Sequence, residues 1–456
     1  MSFRQSLYAR LPGLLRRPWD RIEASPLGAR LARGAFWSLV GAVISRGLSL
    51  AASILVARML GKEGFGELGM IQSTVGMFGT FAGFGLGLTA TKHVAEFREK
   101  DPAKAGRILA LSGVVAWVTG GVATVALFVA APWLAERTIA APHLADELRI
   151  GSLLVLLGAV NGAQTGALAG FEAFKRIAVV NLWAGLANFP CLVVGCHLYG
   201  LPGAVWGLVA ALGVNCVMNR WALTRVSRTY EINLWDRGWR TELQVLWKFS
   251  LPTAISSVMI SPVYWVIQAW LVNGWGFEAQ AEYAVGAQWR TLTNFLPCFL
   301  LGAYLPVFSS LGSVQAEFRL QCMHRVIAMC LGLVLIFVLP IWVLAPFFLP
   351  YYGENFAHGL WVLRVLLLAS FADAVNEVLV QSMLGSGEAW WRLVSNGLWA
   401  LLTLGLGFYL ISSRGGMGLA LTLTLCQGFH LLLQYPLARL ALRRSALGKE
   451  ALCISC

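Results

Sequence analysis

Two arginines lie deep inside hydrophobic stretches of the sequence. Arg46 is about twelve residues from either end of its stretch, roughly 18 Å from water if the stretch is helical. Arg290 lies well inside another stretch, in the segment YAVGAQWRTLTNFLP. Charge in such surroundings is costly, so it marks a functional candidate. Because a guanidinium stays charged and offers a fork that fits phosphate oxygens, both arginines are predicted to bind a phosphate-bearing group.

Two carboxylates lie one helical turn apart in the segment FADAVNEV. Asp373 and Glu377 are at i and i+4, so they share one face of a helix. They could form a permanent ion pair with Arg46 or Arg290, and the arginines would then be structural. Alternatively, the pair could hold a coupling proton or sodium ion together with Asn376. The sequence leaves both interpretations open.

Buried amides and aromatic rings supply the groups that a hydroxyl-rich ligand needs. Asn161 and Gln164 are three residues apart, and Gln288 lies two residues before Arg290. Trp265 and Trp289 are the aromatic rings best placed for stacking against a sugar. These five residues are predicted sugar contacts, although hydrogen bonding between helices is the commoner use of such amides.

Other chemistry is not indicated. The six histidines never fall within metal-ligand spacing of one another, and no phosphate-binding P-loop is present. The longest predicted external segment, residues 135–148, has one histidine and three carboxylates in no recognisable arrangement. We therefore predict no catalytic residues, no metal and no cofactor, and expect a protein that is not an enzyme.

Hydrophobic stretches long enough to cross a membrane must position these residues. Hydrophobic residues make up 58% of the chain and charged residues 12%, compared with roughly 45–50% and about 25% in soluble proteins. At about 20 apolar residues per span, the sequence predicts an all-α polytopic membrane protein with about twelve transmembrane helices. The predicted spans are 34–57, 66–90, 108–134, 148–171, 177–198, 201–224, 249–273, 283–307, 326–350, 360–384, 393–412 and 415–438.

The second half of the chain repeats the first at a shift of 216 positions. The clearest match sets EAFKRIAVVNLWAGL, from Glu172, against EAWWRLVSNGLWALL, from Glu388. Six spans per half would give both halves the same orientation, with a binding cavity between them. The predicted parts are an N-terminal lobe (34–225), a cytoplasmic linker (226–248) and a C-terminal lobe (249–440), flanked by tails at 1–33 and 441–456.

The basic residues are distributed unevenly between the predicted loops. With the N-terminus inside, most of the 35 Lys and Arg fall on the cytoplasmic side, which predicts that both termini are cytoplasmic. Basic loops facing anionic lipid account for the net charge of +13, so no nucleic-acid partner is expected. Residues 1–33 carry seven arginines and are predicted to lie on the membrane surface, with a partner-binding arm as the alternative.

Several segments carry a resemblance to a known family that covers nearly the whole chain. They are LVARMLGKEGFGELGMIQS from Leu55, FGLGLTATKHVAEFREKDPAKAGRI from Phe84, GALAGFEAFKRIAVVN from Gly166, AEYAVGAQWRTLTNFLP from Ala281 and MLGSGEAWW from Met383. The chain resembles the Wzx-like oligosaccharide repeat-unit flippases of the multidrug/oligosaccharidyl-lipid/polysaccharide (MOP) exporter superfamily.

The resemblance implies a fold and a substrate. The fold would be two parallel six-helix lobes around a central cavity in the bacterial inner membrane. The substrate would be a polyprenyl-diphosphate-linked oligosaccharide, moved by alternating access for cell-surface polysaccharide biosynthesis, with its diphosphate at Arg46 and Arg290. Membrane lipids and other polysaccharide-assembly proteins would be its partners. Coupling of transport to a proton or sodium gradient is the role that the carboxylates Asp373 and Glu377 could serve.

Three alternatives stay open. A MATE-like drug or cation antiporter is disfavoured by the deep arginines, because like charges repel strongly in a low-dielectric cavity. Asp373 and Glu377 nevertheless support this alternative, because carboxylates could bind the coupling ion of an antiporter. A lipid II flippase would have the same fold. A membrane polymerase or ligase of polysaccharide assembly is the least favoured, since no long external loop is present.

Overall fold

The computed structural model describes residues 26–83, 85–244, 259–310, 316–385 and 389–454. Most of the predicted interfacial tail lies outside these ranges. Glu388 and the first ten residues of the seventh predicted span also lie outside them.

The described residues form helices joined by short turns, and they contain no β-strand. The α-helices are α1 (Pro26–Gly83), α2 (Leu86–Phe97), α3 (Pro102–Trp133), α4 (Ala145–Gly170), α5 (Phe174–Thr229), α6 (Ile260–Ser310), α7 (Ala316–Phe348), α8 (Leu360–Gly385) and α9 (Ala389–Ile454). Six helical stretches in the described residues are long and apolar enough to cross a membrane.

Four of these helices are broken by a glycine in a left-handed conformation. The breaks in α1, α5, α6 and α9 lie at Gly61, Gly200, Gly276 and Gly415, with φ between 56° and 78°. An unbroken α5 would be roughly 84 Å long at 1.5 Å per residue, far more than a bilayer core of about 30 Å. The breaks at Gly61, Gly200 and Gly276 lie between predicted spans, and Gly415 is the first residue of the last predicted span. We call the two parts of a broken helix its first and second arms.

The arms of α5 fold back on each other. A Cβ placed on Gly203 would come within 1.9 Å of the carbonyl oxygen of Gly195, and a Cβ on Gly207 within 2.4 Å of that of Cys191. Such contacts between residues on opposite sides of Gly200 require the two arms to run side by side. The break is therefore a hairpin between two membrane-crossing segments.

The break positions reproduce the repeat seen in the sequence. Gly61 and Gly276 are separated by the same number of residues as Gly200 and Gly415, one fewer than the shift of 216. The two halves thus place their hairpins at matching points. The prediction of about twelve spans agrees with these breaks but stays a prediction.

One predicted span differs from the structure. Residues 66–90 were expected to form one continuous span, but the second arm of α1 ends at Gly83 and α2 begins at Leu86. The interruption arises because Gly85 adopts a left-handed conformation with φ of 65°, which an α-helix cannot contain. The helix then continues to Phe97, beyond the predicted end of the span.

The helices pack into two lobes. Helices α1 to α5 form the N-terminal lobe and α6 to α9 the C-terminal lobe. Each lobe has apolar clusters of its own, and a larger cluster contains residues of both. Contacts of α1 with α6 join the lobes. This arrangement leaves space between α1, α5 and α6.

The close approach in the α5 hairpin makes Gly203 sensitive to substitution. Gly203→Ala places a methyl group against backbone atoms, which cannot move aside as a side chain can. We expect it to lower the free energy of unfolding by about 1–3 kcal/mol. Gly213→Ala, on the same arm but with no atom within 4 Å of its Cβ position, is the matched control. Thermal unfolding of the purified proteins checks this, and equal midpoints for the two variants would contradict it.

Candidate functional site

A cavity of about 500 Å³ lies between the two lobes. Its N-terminal wall comes from both arms of α1 and from α5, and its C-terminal wall from α6. An adjoining recess of about 450 Å³ extends it into the N-terminal lobe, and the two share Ser49, Gln72, Asn188 and Leu208 in their walls. The break at Gly61 orients both arms of α1 toward this space.

Arg46 is the one charged side chain among the described residues that line the cavity and its recess. It lies on the first arm of α1, about 15 residues or roughly 22 Å from Gly61, and its side chain is exposed. The guanidinium carbon is 5.4 Å from the ring centroid of Phe295 in the other lobe. Within the described ranges no carboxylate lies within ion-pair distance of it. The guanidinium of Arg46 is thus available to an anion that enters the cavity.

Hydroxyls and amides surround this arginine. Ser53 donates to the Oε1 of Gln288 at 2.9 Å across the lobes. Gln280 donates to the Oε1 of Gln268 at 2.7 Å. The buried Oε1 of Gln280 has no hydrogen-bond partner among the described residues, so it can accept from a ligand hydroxyl. The wall therefore offers both donors and acceptors to a polar ligand.

Arg290 and Asp373 form a buried ion pair inside the C-terminal lobe. The Nε and Nη2 of Arg290 each donate at 2.7 Å to one oxygen of Asp373, and Asn294 donates to the same carboxylate at 3.1 Å. Arg290 is only 9% exposed, and neither partner lines the cavity. Of the two arginines predicted to bind phosphate, the structure places Arg46 in the cavity and pairs Arg290 with a carboxylate, which is the structural alternative raised from the sequence.

Glu377 and Asn376 belong to another polar network of the same lobe. Glu377 accepts from the side chain of Gln381 at 2.7 Å. Asn376 donates to both the backbone and the side-chain oxygen of Gln427 on α9, at 3.2 and 3.1 Å. The described part of the chain contains no group of three His, Cys, Asp or Glu side chains placed to hold a metal ion.

The predicted sugar contacts are dispersed. Gln288 lines the cavity. Asn161 accepts from Asn219 at 2.8 Å inside the N-terminal lobe, and Gln164 lines a separate groove. Trp265 donates to Thr74 at 2.9 Å, and Trp289 packs on Phe348 at a centroid distance of 4.4 Å. Neither tryptophan is part of the cavity wall.

One face of α1 carries a row of polar residues, of which only Arg46 was predicted from the sequence to belong to the site. Arg46, Ser49 and Ser53 recur at spacings of three and four residues, so they lie on one helix face, which is the face that lines the cavity. Ser73, Gln72 and Gln280 were missed as well. Polar residues that recur at helical spacing within an apolar stretch are the signal that would have identified this row.

The cavity is closed at one end by contacts between the lobes. We call this the hairpin end, because it carries the breaks at Gly61 and Gly276. Phe65 contacts the rings of Tyr352 and Phe356 there, at centroid distances of 6.4 and 6.0 Å, and all three are buried. The backbone of Gly66 lies directly against the carbonyl of Phe277. The cavity therefore runs from this closed end toward Arg46.

An ion pair reinforces the closure. The Nζ of Lys62, in the N-terminal lobe, lies 2.8 Å from Glu282 and 3.5 Å from Glu278, both in the C-terminal lobe. The Lys62 side chain is only 9% exposed, so water screens the pair less than at an open surface. Separation of the lobes at this end must break it.

Reversing one charge of this pair is expected to favour separation of the lobes. For Lys62→Glu we expect the separated population to rise roughly tenfold, since a partly buried pair of this kind is worth about 1 kcal/mol and its reversal adds repulsion. The distance between spin labels at Glu63 and Asn355, both exposed at this end, measures it. The double change Lys62→Glu with Glu282→Lys should restore the short distance. No change in either variant would show that the pair does not hold the lobes together.

The two lobes and the cavity between them define a membrane protein with the architecture of MOP-superfamily transporters. A solved structure described as the inward-facing conformation of a MATE family multidrug transporter of this superfamily matches with a TM-score of 0.76 and 16% identity, over 90% of this chain and 98% of that one. Residues 31–312 match the family model described as polysaccharide biosynthesis protein, and the chain belongs to that family. The predicted all-α membrane fold with two lobes around a cavity is confirmed, and the family match agrees with the predicted resemblance. The count of about twelve spans stays a prediction.

Two curated relatives are similar over most of their length. One is the EPS I polysaccharide export inner membrane protein EpsE of Ralstonia nicotianae, 24% identical over 85% of this chain and 89% of the relative. The other is the succinoglycan biosynthesis transport protein ExoT of Rhizobium meliloti, 25% identical over 80% of this chain and 72% of the relative.

Proposed function

We propose that this protein translocates a polyprenyl-diphosphate-linked oligosaccharide across the inner membrane by alternating access. The observation that carries the proposal is a polar cavity between two lobes whose one charged lining residue, among those described, is Arg46. The relatives named for polysaccharide export and transport support the same class of substrate.

The chemistry of the substrate matches the cavity. A diphosphate and its sugars cannot cross hydrocarbon without losing their hydration, at a cost of several kcal/mol for each polar group left unsatisfied. The guanidinium of Arg46 can form charge-assisted hydrogen bonds with phosphate oxygens. Serine hydroxyls and glutamine amides of the walls can satisfy the sugar hydroxyls. The polyprenyl chain would stay in the lipid, where no protein contact is needed.

The contacts at the hairpin end support an alternating-access cycle. Phe65, Gly66 and Lys62 close the cavity at the hairpin end, and we propose that it opens at the opposite end, near Arg46. With both termini cytoplasmic, as the basic loops predict, the hairpin end would face the periplasm and this state would load substrate from the cytoplasmic leaflet. Breakage of the Lys62 pair and the aromatic contacts would then open the other side.

The buried polar groups of the C-terminal lobe are proposed to link transport to an ion gradient. Asp373 is held by Arg290 and Asn294, and Glu377 by Gln381. Uptake of a proton or sodium ion by Asp373 would weaken its bonds to Arg290 and Asn294 and alter the packing of α8 on α6, whereas uptake by Glu377 would weaken a bond within α8. Arg290 would contribute to diphosphate binding in a state in which Asp373 no longer holds it.

Transport in proteoliposomes tests the proposal. The purified protein is reconstituted, and movement of a fluorescent polyprenyl-diphosphate oligosaccharide between leaflets is followed with and without a proton or sodium gradient. We expect movement that protein-free vesicles lack. Gradient-driven efflux of a cationic dye, with no movement of the lipid-linked sugar, would overturn the proposal in favour of an antiporter.

A further inference from the structure

A second cavity lies within the N-terminal lobe, away from the substrate cavity. Its volume is about 310 Å³, and it shares no lining residue with the cavity between the lobes or its recess. Helices α3, α4 and the second arm of α5 form its walls, and Leu234 and Trp235 of the segment after α5 cover one end. We call it the Arg220 groove, after its one charged lining residue among those described.

The segment that covers the groove is fixed in place. Ile232 is 5% exposed and packs in the core of this lobe. Arg107 on α3 pairs with Glu242 beyond the segment at 3.1 Å, and the backbone of Gly106 lies against that of Asn233. The segment with Leu234 and Trp235 therefore forms an ordered wall at this end of the groove.

The groove is polar at one end and apolar at the other. Arg220 is nine residues before the end of α5, roughly 13 Å along the helix, and Gln164 is six residues before the end of α4, roughly 9 Å. Ala116 and Trp117 lie farther in, at roughly 21 Å from the start of α3. If α3, α4 and α5 cross the membrane as predicted, this order places the charge near the headgroups and the apolar walls toward the bilayer centre.

Two polar groups of the groove, the Arg220 guanidinium and the Gln164 side-chain oxygen, have no ionic or hydrogen-bond partner among the described residues. The guanidinium carbon of Arg220 lies 5.1 Å from the ring centroid of Trp235, but no described carboxylate is within ion-pair distance of it. The buried Oε1 of Gln164 has no hydrogen-bond partner in the part of the chain that the structure describes. A cation without a counter-ion needs an anion, and an amide oxygen needs a donor.

We propose that the Arg220 groove binds a phosphate-bearing membrane lipid with a hydroxylated headgroup. The phosphate would accept from Arg220, a headgroup hydroxyl would donate to Gln164, and an acyl chain would lie against Ala116 and Trp117. Trp117 and Trp235 are 54% and 66% exposed, so side chains at the protein surface border the groove and a lipid can reach it. The inference is independent of the transported substrate, since the groove does not share a wall with the transport cavity.

Two variants separate the charge from the acyl-chain contact. Arg220→Gln removes the cation. Gly113→Leu fills the groove from α3, and it is sterically tolerable because nothing lies within 4 Å of the Gly113 Cβ position. The matched control is Arg225→Gln on the same helix, since Arg225 also stacks on a tryptophan, at 4.3 Å, but lines no described cavity.

Native mass spectrometry of the full-length protein with phosphatidylglycerol measures the site. We expect the wild type and Arg225→Gln to retain one tightly bound lipid. Arg220→Gln and Gly113→Leu should each bind it about tenfold more weakly, since charge-assisted hydrogen bonds and buried apolar contacts are each worth about that factor. Unfolding midpoints measured without lipid report whether each variant is folded.

Other outcomes would overturn the proposal. Unchanged lipid retention in folded Gly113→Leu, together with a loss in Arg220→Gln and displacement by inorganic phosphate, would identify a simple anion site. Equal retention of phosphatidylcholine, which has no headgroup hydroxyl, would contradict the role given to Gln164. Wild-type retention in both variants would show that the lipid binds elsewhere.

Discussion

Arg46→Ala is expected to lower transport of a polyprenyl-diphosphate oligosaccharide by about 10- to 100-fold. The arginine is the one charged group among the described residues that line the cavity, and within those residues it has no carboxylate partner. Loss of charge-assisted hydrogen bonds to a phosphate costs about 1.5–3 kcal/mol, which corresponds to this range. Folding should be unaffected, because the side chain is exposed in the cavity and, of the described residues, stacks on Phe295.

Two further variants separate the effect of charge from that of hydrogen-bond geometry and provide a control. Arg46→Lys keeps the charge but loses the two-pronged geometry, so we expect an intermediate rate. Arg58→Ala removes an exposed arginine of the same helix arm that does not line the cavity, and it should transport like the wild type. Initial rates in proteoliposomes of matched protein content give the comparison. A normal rate for Arg46→Ala would remove Arg46 from the phosphate site.

Arg290→Ala is expected to destabilise the C-terminal lobe by about 3–5 kcal/mol. The substitution leaves the partly buried Asp373, whose side chain is 20% exposed, with no cationic partner, and removal of one member of a buried pair costs at most about that amount. Asp373→Asn should be less severe, since the neutral amide can still accept from Arg290. Both variants should transport poorly. Thermal unfolding of purified protein measures the effect, and Arg414→Ala, at an exposed position of the same lobe, serves as the control.

Exchange of the two residues decides between a structural and a binding role. In the double variant Arg290→Asp with Asp373→Arg, the pair can re-form between α6 and α8 with its charges reversed. If the pair serves only packing, both stability and transport should return. Recovered stability without transport would show that the pair does more than pack the helices, through contact of Arg290 with the diphosphate or ion uptake by Asp373, as the sequence suggested. Failure to recover either would mean that the surrounding network, including Asn294, tolerates only one orientation.

The arrangement of helices was largely predictable from the sequence. Apolar stretches of about 20 residues locate membrane-crossing segments because the bilayer sets their length. The junctions at Gly61, Gly200 and Gly276 fall between predicted spans, since glycine can adopt the positive φ that a tight reversal needs. The break at Gly85 was not predicted, because an apolar sequence on both sides of a glycine does not show whether the helix continues.

The site was only partly predictable. Arg46 lies in the cavity because a lone charge in a long apolar stretch has few other stable locations. Trp265 and Trp289 were expected to stack on sugars, but they contact Thr74 and Phe348. Hydropathy gives the depth of a residue and says little about the rotation of its helix, which is set by packing between helices. For α1, the spacing of Arg46, Ser49 and Ser53 shows which face of the helix is turned toward the cavity.

A structure with bound polyprenyl-diphosphate lipid, determined by electron cryo-microscopy, tests the central claim most directly. We expect density for the diphosphate in the cavity between the lobes, with phosphate oxygens at about 2.7–2.9 Å from the guanidinium of Arg46 and sugars against Ser53 and Gln288. Diphosphate bound at Arg290 with the Asp373 pair broken, and Arg46 without contact to it, would show that Arg46 is not the phosphate site.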